Sequence, residues 1–93
     1  MLPATFETVY GLVKISEQRL YFQDFKKLLD FVHDFMNTEY FELVDMVINT
    51  RFNSIDFYTK KDLKEDWIIF LYGFLKKLSY EESYEQLRNM HIV

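Results

Sequence analysis

The sequence predicts an all-α protein, a compact bundle of four to five helices in which the fourth helix is largely buried. Three observations favour this fold class. Apolar residues recur at spacings of three and four along most of the 93-residue chain, only two Gly and one Pro are present, and nine uncharged residues run together near the C-terminal end. No linker or change in composition divides the chain, so we expect residues 1–93 to form a single helical domain.

The spacing of apolar side chains predicts the first three helices. A first helix over 4–15 follows from apolar residues at i, i+3, i+4 and i+7, starting at Phe6. The most regular stripe in the chain predicts a second helix over 19–36. The same spacing predicts a third helix over 38–51, which Thr38 can cap.

A β-hairpin is the alternative for residues 11–23. Apolar residues alternate with polar ones on both sides of Glu17-Gln18, which is the period of a strand. Glu-Gln lacks the Asn or Gly that a two-residue hairpin turn favours, so the helix is preferred. The stretch RFNSIDFYT, residues 51–59, breaks the helical spacing and is predicted to be a loop.

Capping signals mark the last two helices. Thr59 is followed three residues later by an acid, which predicts a fourth helix over 60–77. Ser79 and Glu82 form a stronger capping-box signature, which predicts a fifth helix over 80–90.

The fourth helix contains the uncharged run WIIFLYGFL, residues 67–75. Nine residues fall short of the ~20 that a membrane-spanning helix needs. Because the run is apolar on all sides, other elements must cover it. Either the remaining helices wrap it, with Gly73 allowing a close approach, or a flank that includes Ile68 and Tyr72 stays exposed until a partner or a second copy covers it.

The amino-acid composition excludes several kinds of site and argues against nucleic acid as a partner. The absence of cysteine excludes disulfides, thiolate zinc sites and a cysteine nucleophile, and it favours a cytoplasmic location. The first residues lack the basic segment of a signal peptide. A net charge of −4 argues against nucleic acid as the partner, because phosphate binding needs a basic footprint.

The strongest candidate for a chemical site is DFVHDF, residues 30–35. Asp30, His33 and Asp34 share a helix face and, with acids of the third helix, offer oxygen and nitrogen ligands for a metal. The paired Glu-x-x-His arrangement of carboxylate-bridged bundles is absent, and so are the nucleophile and phosphate-loop motifs. We therefore expect no enzyme activity, no metal and no cofactor.

These features predict a non-catalytic protein–protein interaction domain, a small acidic inhibitor of the immunity-protein or antitoxin type that binds and blocks another protein. Tyrosines and an acidic ridge are its expected anchors. The predicted partner-binding residues are Glu39, Glu42, Asp45, Ile68, Tyr72, Tyr80 and Tyr84. The alternative is a homodimeric regulatory module that acts on or beside nucleic acid. It would do so through the basic end of the fourth helix, which carries Lys60, Lys61 and Lys64, or through a companion DNA-binding protein.

Overall fold

The computed structural model describes residues 4–59 and 64–93, and it corrects the predicted fold class: the protein is a mixed α/β fold, not an all-α bundle. The strands are β1 (Ala4–Thr8), β2 (Gly11–Ser16), β3 (Arg19–Phe22), β4 (Val44–Asn49) and β5 (Ser54–Thr59). The helices are α1 (Phe25–Phe35), α2 (Lys64–Lys76) and α3 (Tyr80–Asn89), with a 3-10 helix over Glu39–Leu43. The strands form one antiparallel sheet in the order β1-β2-β3-β5-β4.

The predicted helix over 4–15 is wrong, because these residues form the hairpin of β1 and β2. Phe6 and Val13, which the helical spacing placed one above the other, are cross-strand partners. The turn between the strands ends at Gly11, whose φ of +80° favours glycine. The Thr8 hydroxyl accepts a hydrogen bond from the Tyr10 amide and donates one to the Gly11 carbonyl, which stabilises the turn.

The predicted helix over 19–36 is correct only in its second half. The hairpin alternative is right for the first half: β2 and β3 pair in the register that the alternation indicated, about Glu17-Gln18. Glu17 takes the positive φ of the turn, 55°, at a position where Asn or Gly is the usual choice. Helix α1 starts only after Asp24, whose carboxylate accepts a hydrogen bond of 2.9 Å from the Lys27 amide.

The predicted helix over 38–51 and the predicted loop over 51–59 are both wrong. Most of this region forms β4 and β5, which pair along their whole length. Val44 and Met46 alternate with outward-facing residues in β4, and Ile55 and Phe57 do the same in β5. β-branched and aromatic side chains suit this half-buried pleated surface, and that preference overrides the helical spacing.

The two C-terminal helices lie where their patterns predict them. The capping box of Ser79 and Glu82 is present at the start of α3. Helix α2 ends at a left-handed Lys77, and the Leu78 amide donates to the Gly73 carbonyl as in a Schellman motif. Residues 60–63, where the fourth helix is predicted to begin, lie outside the described residues.

Helices α1 and α2 cover one face of the sheet, and α3 packs against α2. The uncharged run in α2 is covered mainly within the chain, since six of its nine residues are buried: Trp67, Ile69, Leu71, Tyr72, Gly73 and Leu75. The rings of Phe31 and Phe35 lie between sheet and helices, with centroids 5.4–6.4 Å from those of their aromatic neighbours. Within residues 4–59 and 64–93, every helix is too short or too polar to cross a membrane.

Candidate interaction surface on the open face of the sheet

The outer face of the sheet has no helix over it among the described elements. Side chains that point inward from the strands are buried, whereas their neighbours point to the opposite side. We call this side the open face. Its charged, aromatic and aliphatic members are Glu7, Leu12, Lys14, Arg19, Tyr21, Asp45, Val47, Asp56 and Tyr58.

An ion pair crosses the centre of the open face, between β3 and β5. Arg19 and Asp56 are cross-strand partners, and the guanidinium donates from Nε to Oδ1 and from Nη2 to Oδ2, the latter at 3.2 Å. This two-point contact fixes the plane of both groups. The hydrogen bond to Asp56 holds the pKa of Arg19 above its usual value, so the group remains cationic.

Tyr21 lies beside this pair and contacts two cations. Arg19 Nη1 donates to the Tyr21 hydroxyl at 3.0 Å, and the Arg19 guanidinium carbon lies 5.8 Å from the ring centroid. The Lys14 ammonium lies 4.6 Å from the same centroid, within the range of a cation–π contact. The tyrosine therefore presents a ring whose position is set by its neighbours in β2 and β3.

Tyr58 is the most exposed tyrosine of the open face. Tyr58 is 55% exposed, and its cross-strand partner is Asp45. Val47, the partner of Asp56, is also exposed. Tyr58, Asp45 and Val47 thus continue the face from the central pair to the edge of the sheet.

A depression of about 370 Å³ runs along the ion pair. It is lined by Ser16, Glu17, Gln18, Arg19, Tyr21, Asp56, Phe57 and Tyr58. The lining offers hydroxyl, carboxylate and guanidinium groups together with the aromatic rings of Tyr21 and Tyr58, which point to the open face. Such a surface can hold a protein side chain by hydrogen bonds and aromatic contact.

The sequence-predicted partner-binding residues do not form one surface. Asp45 lies on the open face, while Glu39 and Glu42 are exposed on the 3-10 helix that precedes β4. Tyr72 is only 2% exposed, and its hydroxyl donates to Gln86 Oε1 at 2.5 Å inside the α2–α3 contact. It therefore has little surface to offer a partner. Ile68 is half-buried against the core.

Tyr80 and Tyr84 are exposed on α3, on a different side of the molecule from the strands of the open face. The Tyr80 hydroxyl donates to Asp66 Oδ1 at 2.7 Å, and this bond raises the pKa of Tyr80. Tyr80 also borders a second cavity of about 350 Å³. The other residues that line it are Tyr40, Ile69, Phe70, Gly73, Phe74, Lys77 and Leu78.

The residues of the candidate metal site have other partners. Asp30 accepts a hydrogen bond of 3.0 Å from Lys26, and Asp34 accepts one of 2.6 Å from the Tyr10 hydroxyl. His33 Nδ1 lies 3.6 Å from Asp34 Oδ1. In the part of the chain that the structure describes, no three acids and histidines gather as a metal would require.

The predicted nucleic-acid module depends on Lys60, Lys61 and Lys64. Lys60 and Lys61 lie outside the described residues, as does the side chain of Lys64.

Sequence reasoning missed most of the open face, because its residues lie in stretches predicted to be helix or loop. The signal that could have found it was the alternation of Ser54, Asp56 and Tyr58 with Ile55 and Phe57 in β5.

No protein-family model matches the chain, and no curated protein or solved structure shows significant similarity to it.

Proposed function

We propose that this protein is a non-catalytic, cytoplasmic inhibitor-type domain that binds and blocks another protein through the open face of its sheet. The observation that carries the proposal is the row of Tyr21, the Arg19–Asp56 pair and Tyr58 across the neighbouring strands β3 and β5, on a sheet face that no described helix covers. The absence of cysteine favours the cytoplasmic setting.

The residue types of this row suit a protein partner. Tyrosine and arginine are enriched at binding hot spots, because each combines a large contact area with hydrogen bonding. Tyr21 is held by Lys14 and Arg19 before any partner arrives. A side chain that is already positioned loses less entropy on binding, which favours affinity.

The charge pattern also favours protein over nucleic acid. Arg19 is engaged by Asp56, and Lys14 lies over the Tyr21 ring, while Asp45 adds a further acid. Phosphate binding draws on cations that can neutralise the backbone of the nucleic acid, so this mixed surface is a poor match for it. The homodimeric regulatory module beside nucleic acid remains a prediction from sequence, and no contact among the described residues favours it.

A capture experiment tests the proposal. Tagged wild-type protein, Tyr58→Glu and Tyr84→Glu are each incubated with lysate of the source cells after nuclease treatment. Tyr84 is exposed on α3, so Tyr84→Glu is the matched control for adding an acid in place of an exposed tyrosine. We expect wild type and Tyr84→Glu to retain the same stoichiometric partner, and Tyr58→Glu to retain at least about tenfold less, the effect of removing a hot-spot side chain.

Equal retention by Tyr58→Glu and wild type would contradict the proposal. A partner that wild type retains from untreated lysate but not from nuclease-treated lysate would also contradict it. The captured partner then permits the second test. If the domain is an inhibitor, one equivalent of wild type abolishes the partner's activity and one equivalent of Tyr58→Glu does not.

A further inference from the structure

Strand β4 is an edge of the sheet, and within residues 4–59 and 64–93 it lacks the usual protection of such an edge. Natural proteins guard such edges with lysine, proline, bulges or several charges, because an unpaired strand edge can pair with another chain. In β4 the sequence is VDMVIN, with Asp45 as its one charged residue. At the opposite edge, a helix lies close to β1: Phe6 packs on Tyr72, and the Val9 amide donates to the Leu75 carbonyl at 3.2 Å.

An apolar stripe runs along one flank of α1. Phe25, Leu29, Val32 and Met36 follow one another at i, i+4, i+7 and i+11, which places them on one flank of the helix. Leu29 is 45% exposed, and Phe25 and Met36 are similarly exposed.

The orientation of α1 shows which way this flank faces. Residues on the opposite flank contact the β1–β2 turn: Asp34 accepts from Tyr10, and the Lys27 side chain borders Gly11. Since β1 and β4 are the two ends of the strand order, the apolar flank faces the β4 side. Ile48 and Phe52, at the end of β4 and in the following turn, add exposed apolar surface there.

The β4 sequence is complementary to itself in antiparallel pairing. A two-fold axis through Val47 sets Val47 opposite its own copy, Met46 opposite Ile48, and Asp45 opposite Asn49. Cross-strand apolar pairs stabilise a sheet, and this register sets no like charges opposite each other. This register also places Arg51 of one copy next to Glu42 of the other copy. Arg51 follows the C-terminal end of β4, and Glu42 precedes its N-terminal end.

Exposed apolar side chains supply more than half of the area that a stable dimer interface buries. An aromatic side chain buries about 150–250 Å² when fully covered. The six side chains Phe25, Leu29, Met36, Val47, Ile48 and Phe52 are between 39% and 56% exposed. Together they offer roughly 500 Å² per copy, and the paired strand backbones add to this, against about 800 Å² per partner in a stable interface.

We propose that the protein forms a two-fold homodimer in which the β4 strands pair antiparallel about Val47 and the α1 stripes of the two copies meet. The two sheets then join into one of ten strands. Because the axis is perpendicular to the sheet, the open faces of both copies lie on the same side, and the dimer presents two binding surfaces to its partner.

A single introduced cysteine tests both the dimer and its register, since the chain has none of its own. In the proposed dimer the two Val47 Cα atoms lie about 4.5–5.5 Å apart, within the range that a disulfide spans. The Asn49→Cys variant is the control: it shares the strand and face, but its two copies lie about 13 Å apart along the strands. Under mild oxidation we expect Val47→Cys to form a covalent dimer in high yield and Asn49→Cys to form almost none.

Light scattering after size exclusion completes the test. Across a hundredfold range of concentration, we expect wild type to have twice the mass of the 11.4 kDa chain. Val47→Lys should raise the dimer dissociation constant at least tenfold, while Leu12→Lys, on the open face of β2, should not change it. Wild type that is monomeric throughout, or equal cross-linking of both cysteine variants, would overturn the proposal.

Discussion

The hydroxyl of Tyr10 joins three parts of the fold at a single point. Tyr10 is 4% exposed, yet it lies in the turn between β1 and β2. Its hydroxyl donates to Asp34 Oδ2 in α1 and accepts from the Lys77 ammonium at 3.5 Å, just after α2. Burial and the hydrogen bond to Asp34 raise the pKa of Tyr10, so the phenol remains neutral and does not act as a base near neutral pH.

The same hydrogen bond makes stability depend on pH through Asp34. The bond from Tyr10 lowers the pKa of Asp34 below its usual value. A carboxyl group whose folded pKa is depressed stabilises the fold above its unfolded pKa, about 3.9. That stabilisation is lost as the pH falls through the lower folded value.

We predict that Tyr10→Phe lowers the free energy of unfolding by about 1 kcal/mol at neutral pH, the usual contribution of one hydrogen bond. The pKa of Asp34, measured by carboxyl NMR titration, should rise toward its ordinary value, because the first cause of its shift is removed. Stability should then fall less steeply with acid than in wild type. Tyr84→Phe is the control and should change neither quantity. An unchanged Asp34 pKa in Tyr10→Phe would show that the bond does not form.

The contact between α2 and α3 depends on the absence of a side chain at Gly73. A Cβ atom at this position would collide with the Ser83 hydroxyl and lie 3.1 Å from the Leu78 carbonyl oxygen. Ser83 is buried, and its hydroxyl donates to the Ser79 carbonyl at 2.7 Å within the first turn of α3. The close approach that the sequence predicted for Gly73 is therefore present, with α3 as the partner element.

We predict that Gly73→Ala destabilises the protein by about 1–3 kcal/mol, the range for overpacking a core. Alanine favours a helix by about 1 kcal/mol over glycine, so helix propensity alone predicts the opposite sign. The double variant Gly73→Ala/Ser83→Ala removes the hydroxyl that collides and should recover part of the loss. Chemical denaturation measures all three. A stabilised Gly73→Ala would show that the helices are farther apart.

Among the elements, α3 was predictable because its signals are local. Ser79 and Glu82 both lie next to the helix that they cap, and no distant contact is needed to form the box. The strands lacked such signals. Across the β1–β2 hairpin and its turn, apolar residues at Phe6, Val9 and Val13 fit the helical period over a span too short to separate it from the period of strands.

The β2–β3 hairpin shows a different reason for failure. Its alternation was visible, but Glu17 provides the left-handed turn residue in place of Asn or Gly. A turn of this kind is stabilised by its surroundings. The Gln18 carbonyl accepts a hydrogen bond of 2.9 Å from the Phe57 amide of β5, a contact that no local pattern contains.

At the scale of the whole molecule, the open face could not be predicted from the sequence, because it depends on the non-local pairing of β3 with β5. Strand β5 inserts between β3 and β4, so Arg19 meets Asp56 across 37 positions of chain. Tyr21 and Tyr58 come onto one face only through this order. Composition indicated tyrosine-rich surfaces, but it could not show which tyrosines share one.

Tyrosine labelling of the partner complex tests the binding face most directly. Tyr58, Tyr80 and Tyr84 are all at least 41% exposed in the free protein, so each should be modified by a ring-directed reagent such as iodine. Mass spectrometry then compares the free protein with the captured complex. Binding through the open face predicts that Tyr58 is protected while Tyr80 and Tyr84 are modified as before. Protection of Tyr80 and Tyr84 with Tyr58 still reactive would contradict it and place the partner on α3.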